Sequence, residues 1–216
     1  MHYIDHIVIG IHDLEKGIAS IEDLTGVKPV YGGAHPSLGT HNALISLGNR
    51  TYLEILAPNP DAFMNWLSWL TDFRAMYLRK MLFRIDNLKP FLWAVGSYDL
   101  HTTAAHMSDI DLTVSKPKAG RRKKPNGELL NWQTVSFAQG MTTELPFFIR
   151  WDNLVNSPAK NSPKGCKLTQ LSVYTRNLTD LKNIVRKLNI PINIQEAKKT
   201  SLVIELKCPK GRVKIG

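Results

Sequence analysis

A chain of 216 residues with 43% hydrophobic content can bury a sizeable core and fits one or two domains. No uninterrupted apolar run approaches the roughly 18 residues that a membrane span needs, and Asp5, His6 and Asp13 interrupt the opening strand, so neither a span nor a secretory leader is expected. The formal net charge of +10 is uneven, since residues 161–216 carry twelve Lys and Arg against three acids. Such a segment is either a solvated basic face or a patch for an anionic partner. With no zinc finger, RNP aromatic motif or recognition-helix pattern, nucleic acid is not the expected partner. Cys166 and Cys208 are isolated, with no CxxC pair, which points to free thiols and a cytoplasmic location; a disulfide between them is the alternative.

In chain order, residues 1–60 read as a first β-α-β-β-β unit. Tyr3–Ile9 is a strand, Asp13 caps a helix running to Leu24, and Gly26 stops it. Short strands follow at Val27–Tyr31, Asn42–Leu47 and Thr51–Leu56, with a Gly-rich loop after Tyr31 and a hairpin turn at Gly48-Asn49. Residues 61–90 are a connecting helical segment in which Trp66, Trp69 or Leu70, Phe73, Tyr77 and Met81 share a face. Residues 91–152 make a second unit: strands at Phe91–Ser97, Asp111–Ser115, Leu129–Phe137 and Phe147–Trp151, a short helix after Asp99, and a basic loop from Lys116 to Gly127. A linker rich in Asn, Ser, Pro and Lys spans 153–165, and a third unit occupies 166–216.

The third unit restates the first. Leu168–Val173, Asn177-Leu178 and Leu181-Ile184-Leu188 repeat the plan of Ile4–Ile9, Asp13-Leu14 and Ile18-Ile21-Leu24, and Phe91–Gly96 with Asp99-Leu100 is a weaker copy. The fold class is therefore α+β, built from three β-α-β-β-β modules that form a cupped mixed sheet.

Such units, with His on the first strand and Glu on the fourth, resemble the vicinal-oxygen-chelate superfamily. More specifically, Asp5-His6-Ile7-Val8-Ile9, His35-Pro36-Ser37-Leu38-Gly39-Thr40-His41-Asn42-Ala43-Leu44, Tyr52–Pro58 and Pro125-Asn126-Gly127 resemble the glyoxalase-like domain family over nearly the whole chain. The resemblance implies one divalent metal (Zn, Ni, Mn or Fe) inside the cup, with His6 and Glu54 as two of its ligands and Glu54 also moving a proton. Strand alternation puts Tyr52, Glu54 and Leu56 on one face, and Ile4, His6 and Val8 on another. The side chains of His6 and Glu54 should then lie within about 5 Å of each other.

The second pair of ligands departs from that pattern. Leu92 falls where His6 falls, and Arg150 where Glu54 falls, so Arg150 should pair with Glu54 or with an anionic ligand. In the third unit Gln170 matches His6, while Glu205 matches Glu54 by motif but not by strand count. His41-Asn42 either orients a ligand or closes a hairpin. Arg121 and Arg122 form either a solvated loop or a lid over the cup, and Trp151 either core or pocket wall.

Two functions are implied. One is a glyoxalase-like enzyme of lyase or isomerase kind, acting on a small anionic or carbonyl-bearing molecule. The other is a metal-free small-molecule binding or resistance-type protein of the same fold. A second copy of the chain is a candidate partner; a membrane is not.

Overall fold

A computed structural model describes residues 2–48, 50–65, 73–123, 127–137, 140–154 and 157–216. Its first unit is β1 (Tyr3–Gly10), α1 (Leu14–Thr25), β2 (Val30–His35), β3 (Thr40–Ser46) and β4 (Tyr52–Pro58). Asp13 starts α1 because its carboxylate accepts the Lys16 backbone N–H at 3.1 Å, and Gly26 ends it at φ 77°, a left-handed cap that costs glycine little. Leu14, Ile18 and Ile21 form the buried stripe of α1, each worth about 1.5–3 kcal/mol on leaving water.

A 3-10 helix, Pro60–Asn65, and α2 (Phe73–Leu82) follow. Of the face read from the sequence, Met81 packs inward together with Leu78 and Leu82, whereas Tyr77 is 71% exposed. Trp66, Trp69 and Leu70 lie outside the described residues.

The second unit is β5 (Lys89–Gly96), α3 (Leu100–Ser108), β6 (Lys118–Lys123), β7 (Leu129–Val135) and β8 (Phe147–Trp151). Two expectations are corrected here. The Asp111–Ser115 segment makes only an isolated bridge, Val114 to Phe137, and the basic stretch read as a loop is strand β6, paired along its length with β7. The expected turn at Pro125-Asn126 lies outside the described residues, although Gly127 takes the positive φ that a turn requires. The linker holds one short helix, α4 (Pro158–Asn161).

These two units form one eight-stranded sheet in the order β2-β3-β4-β1-β5-β8-β7-β6. β1 and β5 join the halves antiparallel, while β1–β4 and β5–β8 are the parallel pairs of each half. The sheet curls until its edge strands β2 and β6 run alongside each other; a Cβ on Gly33 would stand 2.9 Å from the Lys123 carbonyl oxygen. Alternation then sorts the core. Ile7, Ile9, Leu53, Ile55, Trp93, Val95 and Phe148 point outward into a cluster with α1, α3 and the last segment. Leu44, Tyr52, Ala94, Leu130, Phe147, Ile149 and Trp151 point inward. Leu78, Met81 and Leu82 of α2, with Ile85, pack on Val8, Leu56 and Phe91.

The last segment has the expected element order, β9 (Lys167–Thr175), α5 (Leu178–Leu188), β10 (Asn193–Glu196), β11 (Ser201–Cys208) and β12 (Gly211–Ile215). Its strand order is β10-β9-β11-β12, not that of the first two units. β10 lies parallel beside β9, where the first unit would place its fourth strand. Sequence periodicity records that a strand precedes a helix; it does not record on which side the next strand docks. This sheet packs on the outer face of the large one and shares the main core. Cys166 and Cys208 are buried free thiols within it.

Candidate functional site

The polar side chains inside the curl come from neighbouring strands. An irregularity in the β1–β5 register falls between Ile4 and His6. Such a bulge breaks strict alternation and re-aims a side chain. As a result Ile4 joins the outer core, contrary to the expected Ile4-His6-Val8 face, and both Asp5 and His6 reach the inner network. On β4 the expected alternation holds: Tyr52 and Leu56 are inward and Glu54 lies between them.

His6 Nδ1–H donates to Asp5 Oδ1 at 2.7 Å, and Asp5 Oδ2 accepts from Trp151 Nε1–H at 2.9 Å. This bond fixes the imidazole so that its other nitrogen, Nε2, faces Glu54 Oε2 at 3.7 Å. That separation is within the expected ~5 Å but too long for a hydrogen bond, so the two facing atoms are not bonded to each other. Tyr52 stacks on the His6 ring at 4.7 Å between centroids, and Phe147 meets it edge-on at 5.3 Å.

Glu54 Oε1 accepts from Asn42 Nδ2 at 2.6 Å, and Asn42 Oδ1 accepts from Arg122 NH1, also at 2.6 Å. Arg122 thus crosses the β2–β6 seam from the far edge of the sheet. Glycine at position 32 makes that possible: a Cβ there would sit 2.5 Å from Asn42 Oδ1 and 2.6 Å from Arg122 NH1. Burial pushes the Glu54 carboxyl up, but His6 and His35, the Asn42 hydrogen bond and the Arg122 guanidinium outweigh it and hold Glu54 below the ordinary carboxylate value. Burial pushes His35 down to about 4, so this ring is neutral near pH 7; its Nδ1 lies 3.2 Å from Thr40 Oγ1, and it meets Trp132 edge-on at 6.3 Å. Burial also raises the Tyr52 phenol, which remains a neutral O–H.

The structure divides the residues singled out in the sequence. His6, Glu54, Asn42, Arg122 and Trp151 come together inside the curl. His41, one residue out of phase with Asn42, shares the outer side with Tyr31 at 6.2 Å between rings. Arg121 is exposed, one residue out of phase with Arg122. Arg150 is the largest correction. Phe147, Ile149 and Trp151 point inward, so Arg150 points outward; its side chain is 41% exposed and bonds Asp152 at 3.3 Å.

The register explains the misplacement. Val8 stands beside Glu54 in the parallel pair of the first half, and Ala94 beside Phe147 in that of the second. With the two helices aligned at their caps, Asp13 and Asp99, Ala94 corresponds to Val8, and Phe147 therefore corresponds to Glu54. The second half thus presents Leu92 and Phe147 where the first presents His6 and Glu54. Gln170 and Glu205 supply nothing in their place: Gln170 donates to Ser172, and Glu205 pairs with Lys214 at 3.4 Å.

Asp5, His35, Tyr52 and Phe147 were given no role from the sequence. Asp5, His35 and Tyr52 stand in three of the four motif runs that carry the resemblance. The place of Tyr52 and Phe147 against His6 comes from ring contacts across strands.

A family model described as glyoxalase-like domain matches residues 4–188. No curated protein matches. A hypothetical protein from Staphylococcus aureus has a similar structure over 100% of this chain and 99% of its own, with 16% identity and a TM-score of 0.70, which shows a common fold. Methylmalonyl-CoA epimerase from Mycobacterium tuberculosis is similar over 68% of this chain and 85% of its own, with 15% identity and a TM-score of 0.41. A hypothetical protein from Bacillus halodurans C-125 covers 69% of this chain and 93% of its own, with 12% identity and a TM-score of 0.45. The family match spans most of the sequence, and the inward His6 and Glu54 stand on the first and fourth strands of its first unit: the chain belongs to the glyoxalase-like domain family.

Proposed function

We propose that the interior of the large sheet takes a small anionic or carbonyl-bearing molecule against His6 and Glu54, and that this pair moves a proton on it. The observation that carries this reading is the facing of His6 Nε2 and Glu54 Oε2 at 3.7 Å, neither bonded to the other, with the imidazole held from behind by Asp5. A carboxylate kept ionised near pH 7 is a base, and the imidazole, oriented by Asp5, presents Nε2 to the same substrate atom. Arg122, joined to Glu54 through Asn42, supplies the positive charge that an anionic substrate or an enolate-like intermediate needs.

The donor set does not fit the four-ligand metal that the superfamily resemblance implies. Leu92 and Phe147 are apolar at the two matching places, no cluster of three or more His, Cys, Asp or Glu donors occurs among the described residues, and a guanidinium stands close to Glu54. No step is therefore routed through a metal. The metal-free binding reading shares this same site without the proton transfer.

The test is solvent deuterium exchange at the carbon next to the carbonyl, followed by proton NMR. The panel comprises 2-oxo acids, 3-oxo acids and 2-hydroxy aldehydes, run with the unmodified chain and with EDTA. Exchange of one class that survives EDTA and falls a hundredfold or more in both Glu54→Gln and His6→Ala supports the reading. Saturable binding without exchange leaves the binding protein; exchange lost on chelation and restored by a divalent ion defeats the metal-free mechanism.

A further inference from the structure

Two cavities meet at the seam between the first unit and the last segment, both bounded by Gly48, with volumes of about 590 and 600 Å³. Hydrogen bonds pin their walls: Ser46 N–H to the Pro163 carbonyl at 2.8 Å, Ser46 Oγ to the Ala159 carbonyl at 2.7 Å, and Leu168 N–H to the Leu47 carbonyl at 3.3 Å. Lys160 and Lys164 line one cavity, Arg50 and Lys167 the other, and no Asp or Glu lines either among the described residues. None of these four cations is in an ion pair among the described residues. Like charges gathered along one seam without acidic partners are unfavourable alone and raise the local concentration of anions.

Arg50 is placed without an acid. Its guanidinium carbon stands 5.5 Å from the ring centroid of Tyr3 and 5.5 Å from that of Tyr98. Cation–π contact orients the planar group and leaves its N–H donors for an oxyanion, which a guanidinium binds in bidentate fashion. Tyr98 is 47% exposed, which leaves part of this side chain for a planar group bound beside that anion.

We propose that this seam binds the phosphate groups of a small, multiply charged phosphate ester of nucleotide size. Four cations match a di- or triphosphate better than a single carboxylate, and each cavity lies within the range that holds a small ligand. A long polyanion would need a continuous strip of unoccupied cations. Several cations of the basic last segment are instead engaged locally: Lys187 pairs with Asp109 at 2.8 Å, Lys214 with Glu205 at 3.4 Å, and Lys210 donates to the Asp23 carbonyl at 2.8 Å.

Isothermal titration of the whole chain with ATP and with inorganic triphosphate tests this. The variants are Arg50→Ala/Lys167→Ala and Lys160→Ala/Lys164→Ala, with Lys182→Ala/Arg186→Ala as a charge-matched control elsewhere on the last segment. The expected result is one site per chain, weakened tenfold or more by either groove variant and less than twofold by the control. Tighter binding of ATP than of triphosphate adds Tyr98 to the site; equal binding supports the phosphate contacts by themselves. Equal weakening by the control, no binding of either ligand, or preferential binding of single-stranded RNA with affinity rising with length would overturn the proposal.

Discussion

Acidification should loosen this protein through His35, and the size of the effect follows from its surroundings. The ring lies among Trp132, Thr40 and the Glu54 network, and burial lowers it from 6.5 to about 4. A group that binds its proton more weakly when folded destabilises the fold once the unfolded chain begins to take that proton. Its contribution is therefore intact above pH 6.5 and is lost as pH falls from there toward 4. At about 1.36 kcal/mol per unit, the loss is about 2.5 kcal/mol at pH 4.5 and approaches about 3.4 kcal/mol below pH 4. Urea unfolding at pH 7.5 and pH 4.5 reads it directly. His35→Gln, which does not titrate, should lose about 2.5 kcal/mol less than the parent chain between those pH values. Curves for parent and variant that fall in parallel, or an NMR titration placing His35 near 6.5, would refute the claim that the inner side of the sheet desolvates this ring.

Three further outcomes test the geometry. Gly32→Ala, whose methyl would meet Asn42, Arg122 and Leu44 within 2.7 Å, should cost about 1–3 kcal/mol in urea unfolding; a neutral change would mean that the Asn42–Arg122 contact is not tightly seated. Arg150→Ala removes one partner of a half-exposed pair and should change stability by no more than about 0.5 kcal/mol, whereas a loss of 3 kcal/mol would return Arg150 to a buried partner. The double change Leu92→His/Phe147→Glu restores donors at the two matched places, so Ni or Zn binding at one ion per chain should appear by calorimetry in that variant. If binding does not appear in a folded variant, the register equivalence of Phe147 and Glu54 is wrong.

What could be read from residues alone was local or periodic. The caps Asp13 and Asp99, the stop at Gly26, the alternation of Tyr52, Glu54 and Leu56 and the β-α-β-β-β order of the first half are all short-range signals, and the family resemblance implied His6 and Glu54. Wherever the outcome depended on how strands pair, tertiary structure decided it. The irregularity at Asp5 turned two consecutive residues into one network, which alternation by itself does not show. A one-residue difference in phase separated Arg122 from Arg121, Asn42 from His41 and Trp151 from Arg150, because successive side chains on a strand leave opposite faces. The β8 register made Phe147 rather than Arg150 the equivalent of Glu54 in the second half, and the docking of β10 beside β9 gave the last segment its own strand order. Register and docking are set by which surfaces bury one another across the whole chain, and that sum is not written in any one stretch of it.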